Sequence, residues 1–243
     1  MNIIKHIPNS ITSMNLLCGL MGVIFTFNGE FDIAFILMLA AAVCDFCDGL
    51  AARLLGAYSD MGKELDSLAD MVSFGALPAL MAHRLMIYAG QEGFITYIPL
   101  LIGVFSALRL AKFNIDDRQT ENFIGLPTPA CAMICGSFVY YVTKNPDSIM
   151  YEWAASSIFI PTVSVILSVL LVIELPMFSM KIKKNNKESS PVNKWRICFI
   201  GFIIAEAIAV LVIGLNWSLI ILLAFVFYIL MNSVLFLICR NKQ

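Results

Sequence analysis

Charge is scarce in this sequence: only 14% of its 243 residues are Asp, Glu, Lys or Arg. A soluble domain of this length needs a far more polar surface, so a water-soluble globular class is excluded. An excess of positive charge is lacking too. The net charge is -1 and no basic patch with interleaved aromatics occurs, which excludes nucleic acid as a partner. Histidine is nearly absent. His6 and His83 have no partner at metal-ligand spacing and read as interfacial or packing residues, and no Ser-His or Cys-His arrangement is present to activate a nucleophile. The seven cysteines are odd in number and lie in or beside apolar segments, so no disulfide framework is expected. No small-residue cleavage signal follows MNIIKHIPNS, and the first apolar run therefore reads as retained structure.

What is abundant is apolar surface: 60% of residues are hydrophobic and the mean hydropathy is +0.85. Runs of about 20 apolar residues, each able to cross a hydrocarbon core of about 30 Å, recur along the chain. Eight spans are expected, at 10–28, 31–56, 64–89, 94–113, 126–143, 152–173, 195–214 and 217–239. Backbone groups in lipid must be satisfied internally, so the fold is expected to be an all-α polytopic membrane protein. Turn signals at Asn28-Gly29-Glu30, Ala89 to Gly93, Lys144 to Asp147 and Gly214-Leu215-Asn216 separate the spans. Residues 1–8, with Ile3, Ile4 and Ile7 beside Lys5 and His6, fit a short interfacial helix that Pro8 ends. Lys181 to Lys194 is a polar, lysine-rich loop. Of the 16 lysines and arginines, all but Arg84 and Lys144 fall on one side of this topology, which puts both termini in the cytoplasm.

Four carboxylates do not belong in such a setting. Asp45 and Asp48 are three residues apart, Asp66 and Asp70 four, so each pair shares one helix face. An unpaired acid at membrane depth costs about 2.5–3.5 kcal/mol on insertion scales and defaults to function. Two helices joined by a short turn bring the pairs together, where like charges repel by about 4 kcal/mol per pair at 4 Å and an effective dielectric of 20. Either some acids stay protonated, or a divalent cation neutralises them. With oxygen-only ligands the fitting ions are Mg²⁺ or Mn²⁺, which suit phosphoryl chemistry. Gly49 would let a ligand approach the helix backbone, and Arg53, one turn on, could contact a phosphate. The competing reading is a structural ion-pair network between helices.

The stretch CDFCDGLAARLLGAYSDMGKELDSLAD reads D-x2-D-G-x2-A-R-x8-G-x3-D-x3-D from Asp45 to Asp70. It resembles the signature of the CDP-alcohol phosphatidyltransferases without departure. The resemblance implies that Asp45, Asp48, Asp66 and Asp70 hold one or two divalent metals and that Asp70 is the general base. It also implies that Gly49, Arg53 and Ser59 contact the CDP-lipid. IPNSITSMNLLCG, with Asn9, Thr12 and Asn15 along one face of span one, is similar to the opening of the phosphatidylserine synthase branch, which adds these three to the CDP-lipid set. LRLAKFN (108–114) and FIGLPTPA (123–130) look like later motifs of that branch. The resemblance covers about residues 1–180 as a six-helix core, leaving the 181–194 loop and, in 195–243, two additional helices and a tail. It suggests a homodimer in a bacterial inner membrane.

The implied reaction is transfer of a phosphatidyl group from CDP-diacylglycerol to L-serine, by direct attack of the serine hydroxyl. A serine site needs a cation for the carboxylate, which Arg109 and Lys112 could supply, and acceptors for the ammonium, which Asn114 and Thr128 could supply. Positive-inside anchoring is the bland reading of both cations. Glycerol 3-phosphate or inositol phosphate as acceptor would also want cations here, so serine rests on the resemblance. A transporter binding a cation or proton through intramembrane Asp residues would require internal repeats, and none is seen. Cys44 and Cys47 form a C-x2-C inside a helix, interleaved with the Asp pair, and are not read as a zinc or redox site. Glu206, near the middle of span seven, is expected to make a structural hydrogen bond.

Overall fold

The computed structural model describes residues 6–116, 123–177 and 191–240. Helix α1 (Ile7–Phe27) turns at Gly29, whose φ of +83° only glycine adopts readily, into α2 (Phe31–Leu55). α2 ends on the left-handed Gly56. Ser59 then caps α3 (Asp60–Asp70), its Oγ accepting from the Gly62 N–H at 3.0 Å. A π-helical turn (Met71–Ala76) joins α3 to α4 (Leu77–Tyr88), so that 60–88 is one continuous helical span. There the Leu77 N–H reaches back five residues to the Val72 carbonyl. Pro78 offers a physical cause, because it has no N–H for the preceding turn and its ring crowds that turn.

A 3₁₀ turn (Phe94–Leu100) leads into α5 (Leu101–Ile115). α6 (Thr128–Lys144), α7 (Ile149–Ala155), α8 (Phe159–Val172), α9 (Pro191–Ile213) and α10 (Ser218–Arg240) complete the bundle. β1 (Phe123–Ile124) pairs antiparallel with β2 (Pro176–Met177), a two-residue clasp that the all-helical expectation did not contain. The architecture is nonetheless an all-α polytopic membrane protein.

Helical segments occur where the eight spans were expected, but they are not eight equivalent crossings. Among the described residues five helical stretches are long and apolar enough to cross a membrane: 7–27, 31–55, 60–88, 94–115 and 218–236. The expected span 152–173 is instead broken: α7 and α8 meet at 85°, and as a pair they make at most a sixth. The cause lies at Ser156, which leaves the helix in extended backbone, while Pro161 fits the first turn of α8, where its missing N–H costs nothing. α6, at 17 residues, reaches only about 25 Å.

Three boundaries move. Pro8 sits in the first turn of α1 rather than ending a separate helix, again because its absent N–H is tolerated there; residues 1–5 of the expected interfacial helix lie outside the described residues. The polar loop stops before Pro191, which opens α9, so Lys194 is helical; 181–190 lie outside the described residues, as does Arg118. Glu206 is 9% exposed, and neither carboxylate oxygen has a hydrogen-bond partner among the described residues, contrary to the expected structural bond.

The core is built from Phe35 and Met38 of α2, Phe74 of the π turn, and Leu77, Met81 and Leu85 of α4, all fully buried. Small residues set how closely α1 approaches this layer. A Cβ at Gly19 would lie 2.3 Å from Ser73 Oγ, and one at Gly22 2.6 Å from Leu77 Cδ2. At one end of the bundle Lys144 pairs with Asp32 at 2.7 Å, and Arg84 donates to the Phe27 carbonyl at 3.2 Å. These are the two cations that the topology assigned to the sparsely charged side.

Candidate active site

The Gly56–Ser59 turn joins α2 to α3, and α1 lies against both. This arrangement brings ligand oxygens of Asp45, Asp48 and Asp66 within 4.8 Å of one another. Asp48 is buried, and the Thr12 hydroxyl donates to its Oδ2 at 2.5 Å. Asp66 Oδ1 is buried and has no hydrogen-bond partner among the described residues. The ion pairs Lys112–Glu174 and Lys144–Asp32 involve none of the three, and among the described residues no other cation pairs with them. Three close carboxylates with an orphaned acceptor and no ion-paired cation among the described residues form a donor set that fits a hard divalent cation. Asp70 lies outside this trio: it is buried, and its Oδ1 accepts from Asn15 Nδ2 at 3.2 Å.

A cleft of about 580 Å³ opens onto two of the three acids, Asp48 and Asp66. Asn9, Thr12, Gly49 and Ser59 line it together with Asp48 and Asp66. A Cβ on Gly49 would meet nothing within 4 Å, so the cleft reaches bare helix backbone there. Gly62 is tight in contrast, a Cβ falling 2.9 Å from Asn9 Oδ1. Tyr58, Asp60 and Lys63 also line the cleft and were not singled out from sequence as site residues. Lys63, one turn before Asp66, could have been read as a second cation beside the acids; its Nζ donates to the Asn114 carbonyl at 3.1 Å.

The remaining candidates divide. Arg109 is buried, donates through Nη1 to Thr128 Oγ1 at 2.8 Å and stacks 5.8 Å over the Phe113 ring. Asn114 Nδ2 donates to Ser67 Oγ at 2.9 Å, tying α5 to α3. Arg53 is exposed and turned back on its own helix, Nε donating to the Gly49 carbonyl at 2.9 Å. Lys112 is paired at 2.9 Å with Glu174, a residue 62 positions away that no local pattern could nominate. Asn15 is fully buried and does not line the cleft. Cys44 and Cys47 are free thiols.

Residues 5–175 match the family described as CDP-alcohol phosphatidyltransferase. The chain is also similar to three enzymes named CDP-diacylglycerol–serine O-phosphatidyltransferase. That of Bacillus subtilis (strain 168) is 37% identical over 142 residues, covering 56% of this chain and 77% of the relative. That of Helicobacter pylori (strain ATCC 700392 / 26695) is 34% identical over 185 residues, 74% of this chain and 75% of the relative. That of Mycobacterium tuberculosis (strain ATCC 25618 / H37Rv) is 33% identical over 215 residues, 86% and 71% respectively. The family match takes in the whole cleft, the three converging acids and the helices that hold them: the chain belongs to the CDP-alcohol phosphatidyltransferase family.

Proposed function

We propose that this chain transfers the phosphatidyl group of CDP-diacylglycerol to the hydroxyl of L-serine, giving phosphatidylserine and CMP. The observation that carries this is the trio Asp45, Asp48 and Asp66, two of whose members, Asp48 and Asp66, line a cleft that reaches bare backbone at Gly49. The serine acceptor is supported by the shared name of the relatives. Mg²⁺ or Mn²⁺ held by the trio, with Asp70 beside it, would neutralise charge on the pyrophosphate. Asn9, Thr12, Gly49 and Ser59, which line the cleft, and Arg53, bonded to the Gly49 carbonyl, are the proposed CDP-lipid set, without Asn15, which is fully buried and engaged by Asp70. Asp70 takes the proton from the serine hydroxyl, Arg109 and Lys112 receive the carboxylate, and Asn114 and Thr128 receive the ammonium. The decisive assay incubates purified protein with CDP-diacylglycerol, labelled serine and Mg²⁺ or Mn²⁺, and measures CMP release. Release with glycerol 3-phosphate or inositol phosphate, but not serine, would move the chain to another branch.

Lys112 has a competing partner in Glu174, which sharpens its test. Lys112→Ala is expected to raise the KM for serine several-fold with less effect on CDP-diacylglycerol, since a ground-state contact is lost. An unchanged serine KM would leave Lys112 as an anchor of α5 to the end of α8.

We further propose eight membrane crossings in a bacterial inner membrane, with a six-helix catalytic core over 1–180, two accessory helices after the basic loop, and a homodimeric assembly. Both termini and the cleft face the cytoplasm. Cysteines introduced near Asn145 and Asn216 should then react with an impermeant reagent outside intact cells, and one near Asn186 should not. Labelling at Asn186 from outside inverts the topology.

A further inference from the structure

We infer that Asn15 acts as a positioning residue for Asp70, holding its carboxylate in place, and is not a ligand of the CDP-lipid. The inference rests on the reading of Asp70 as the base. Asn15 lies two turns into α1, is 0% exposed and does not line the cleft. Its amide nitrogen, the only donor at its tip, faces Asp70 and donates to Oδ1 at 3.2 Å. A carboxylate with Oδ1 so engaged has Oδ2 left to receive a proton, at an orientation that the tether restricts.

Asn15 is itself held from the same segment of chain. Ser73 Oγ donates to the Asn15 backbone carbonyl at 3.0 Å, and both residues are fully buried. That contact needs the bare Gly19, since a Cβ there would lie 2.3 Å from Ser73 Oγ. The π turn presents Ser73 to α1 three residues after Asp70, so α1 is pinned on both sides of the Asn15–Asp70 bond. Thr12, one turn earlier on the same face, does the parallel work on Asp48. A neutral amide suits this role, because it restricts the carboxylate without taking over its charge. Geometry of this kind matters because a misplacement of about 1 Å can cost about 10²-fold in rate.

The test compares Asn15→Ala, Asp70→Asn and the double variant, measuring kcat with serine and, separately, equilibrium binding of CDP-diacylglycerol in Mn²⁺. Asn15→Ala is expected to lower kcat about ten- to a hundredfold while the Kd for CDP-diacylglycerol stays within about twofold. The double variant should be no slower than Asp70→Asn alone, because both changes disable one unit. Ser73→Ala should move kcat in the same direction by less, and Asn15→Gln, which keeps the donor, should recover part of the loss. Loss of CDP-diacylglycerol binding with kcat intact would overturn the inference and make Asn15 a lipid ligand. Additive losses in the double variant would also overturn it. Should Asn15→Ala not fold, Asn15→Leu, which keeps the volume and lacks the donor, carries the same comparison. An active Asp70→Asn enzyme would fail the base reading itself, whatever Asn15 does.

Discussion

Asp45→Asn and Asp66→Asn are each expected to abolish CMP release and to raise the metal concentration needed for any residual activity. The two residues come from different helices, and together with Asp48 they offer oxygens within 4.8 Å of one another. Exchanging one carboxylate for an amide keeps the shape and one oxygen but removes a charge from the shared set. Loss of residues that merely support metal ligands costs about 10–100-fold in affinity, so loss of a ligand should cost at least as much. Unfolding would not account for such a result. Without metal, the exchange relieves a like-charge contact worth about 4 kcal/mol at 4 Å and an effective dielectric of 20, so the metal-free thermal midpoint should hold or rise. Near-normal turnover in both variants at the wild-type metal concentration would remove the metal cluster from the mechanism.

Asp70→Asn should behave differently. Asp70 stands outside the trio and is engaged by Asn15. A serine hydroxyl attacks phosphorus poorly unless its proton leaves as the bond forms, and a positioned base contributes about 10²–10⁴-fold. Asparagine retains the shape and an oxygen but not the basicity. Catalysis is therefore expected to fall at least about a hundredfold while CDP-diacylglycerol and metal still bind. Binding lost to the same degree as in Asp45→Asn would make Asp70 a further ligand. Activity within a few-fold of wild type would exclude it from the proton transfer.

These two variants part company for a reason that the sequence shows only halfway. The spacings Asp45–Asp48 and Asp66–Asp70 place each pair on one helix face, and the short turn after α2 keeps the two helices close in the chain; that much is periodicity and turn chemistry. Which acid stands apart depends on α1, whose Thr12 and Asn15 reach Asp48 and Asp70 across 36 and 55 positions of sequence. Helix starts and stops were legible because glycine and asparagine turns punctuate apolar runs of spanning length, as between Phe27 and Phe31. The 85° break between α7 and α8 was not, since Ser156, Ser157 and Pro161 sit within an apolar run long enough to read as one crossing. Nor was the β1–β2 clasp, whose two-residue strands are too short to alternate. Lys112 looked like a free cation because its partner Glu174 lies on the far side of α6 and α8 in sequence.

The π turn at Met71–Ala76 has a bearing on how relatives of this protein should be aligned. It lies between the segment that carries Asp66 and Asp70 and the segment that carries Leu77, Met81 and Leu85 into the core. An α-helix advances about 100° per residue, so losing one residue here without closing the π turn would rotate every core contact of α4 by about that much relative to the acids. Substitutions within 71–76 leave that phase alone. A one-residue gap leaves it alone only where the π turn closes into regular helix; otherwise α4 must repack against α1 and α6. Gap placement in these six positions therefore says more about whether two chains share this site than percentage identity across them.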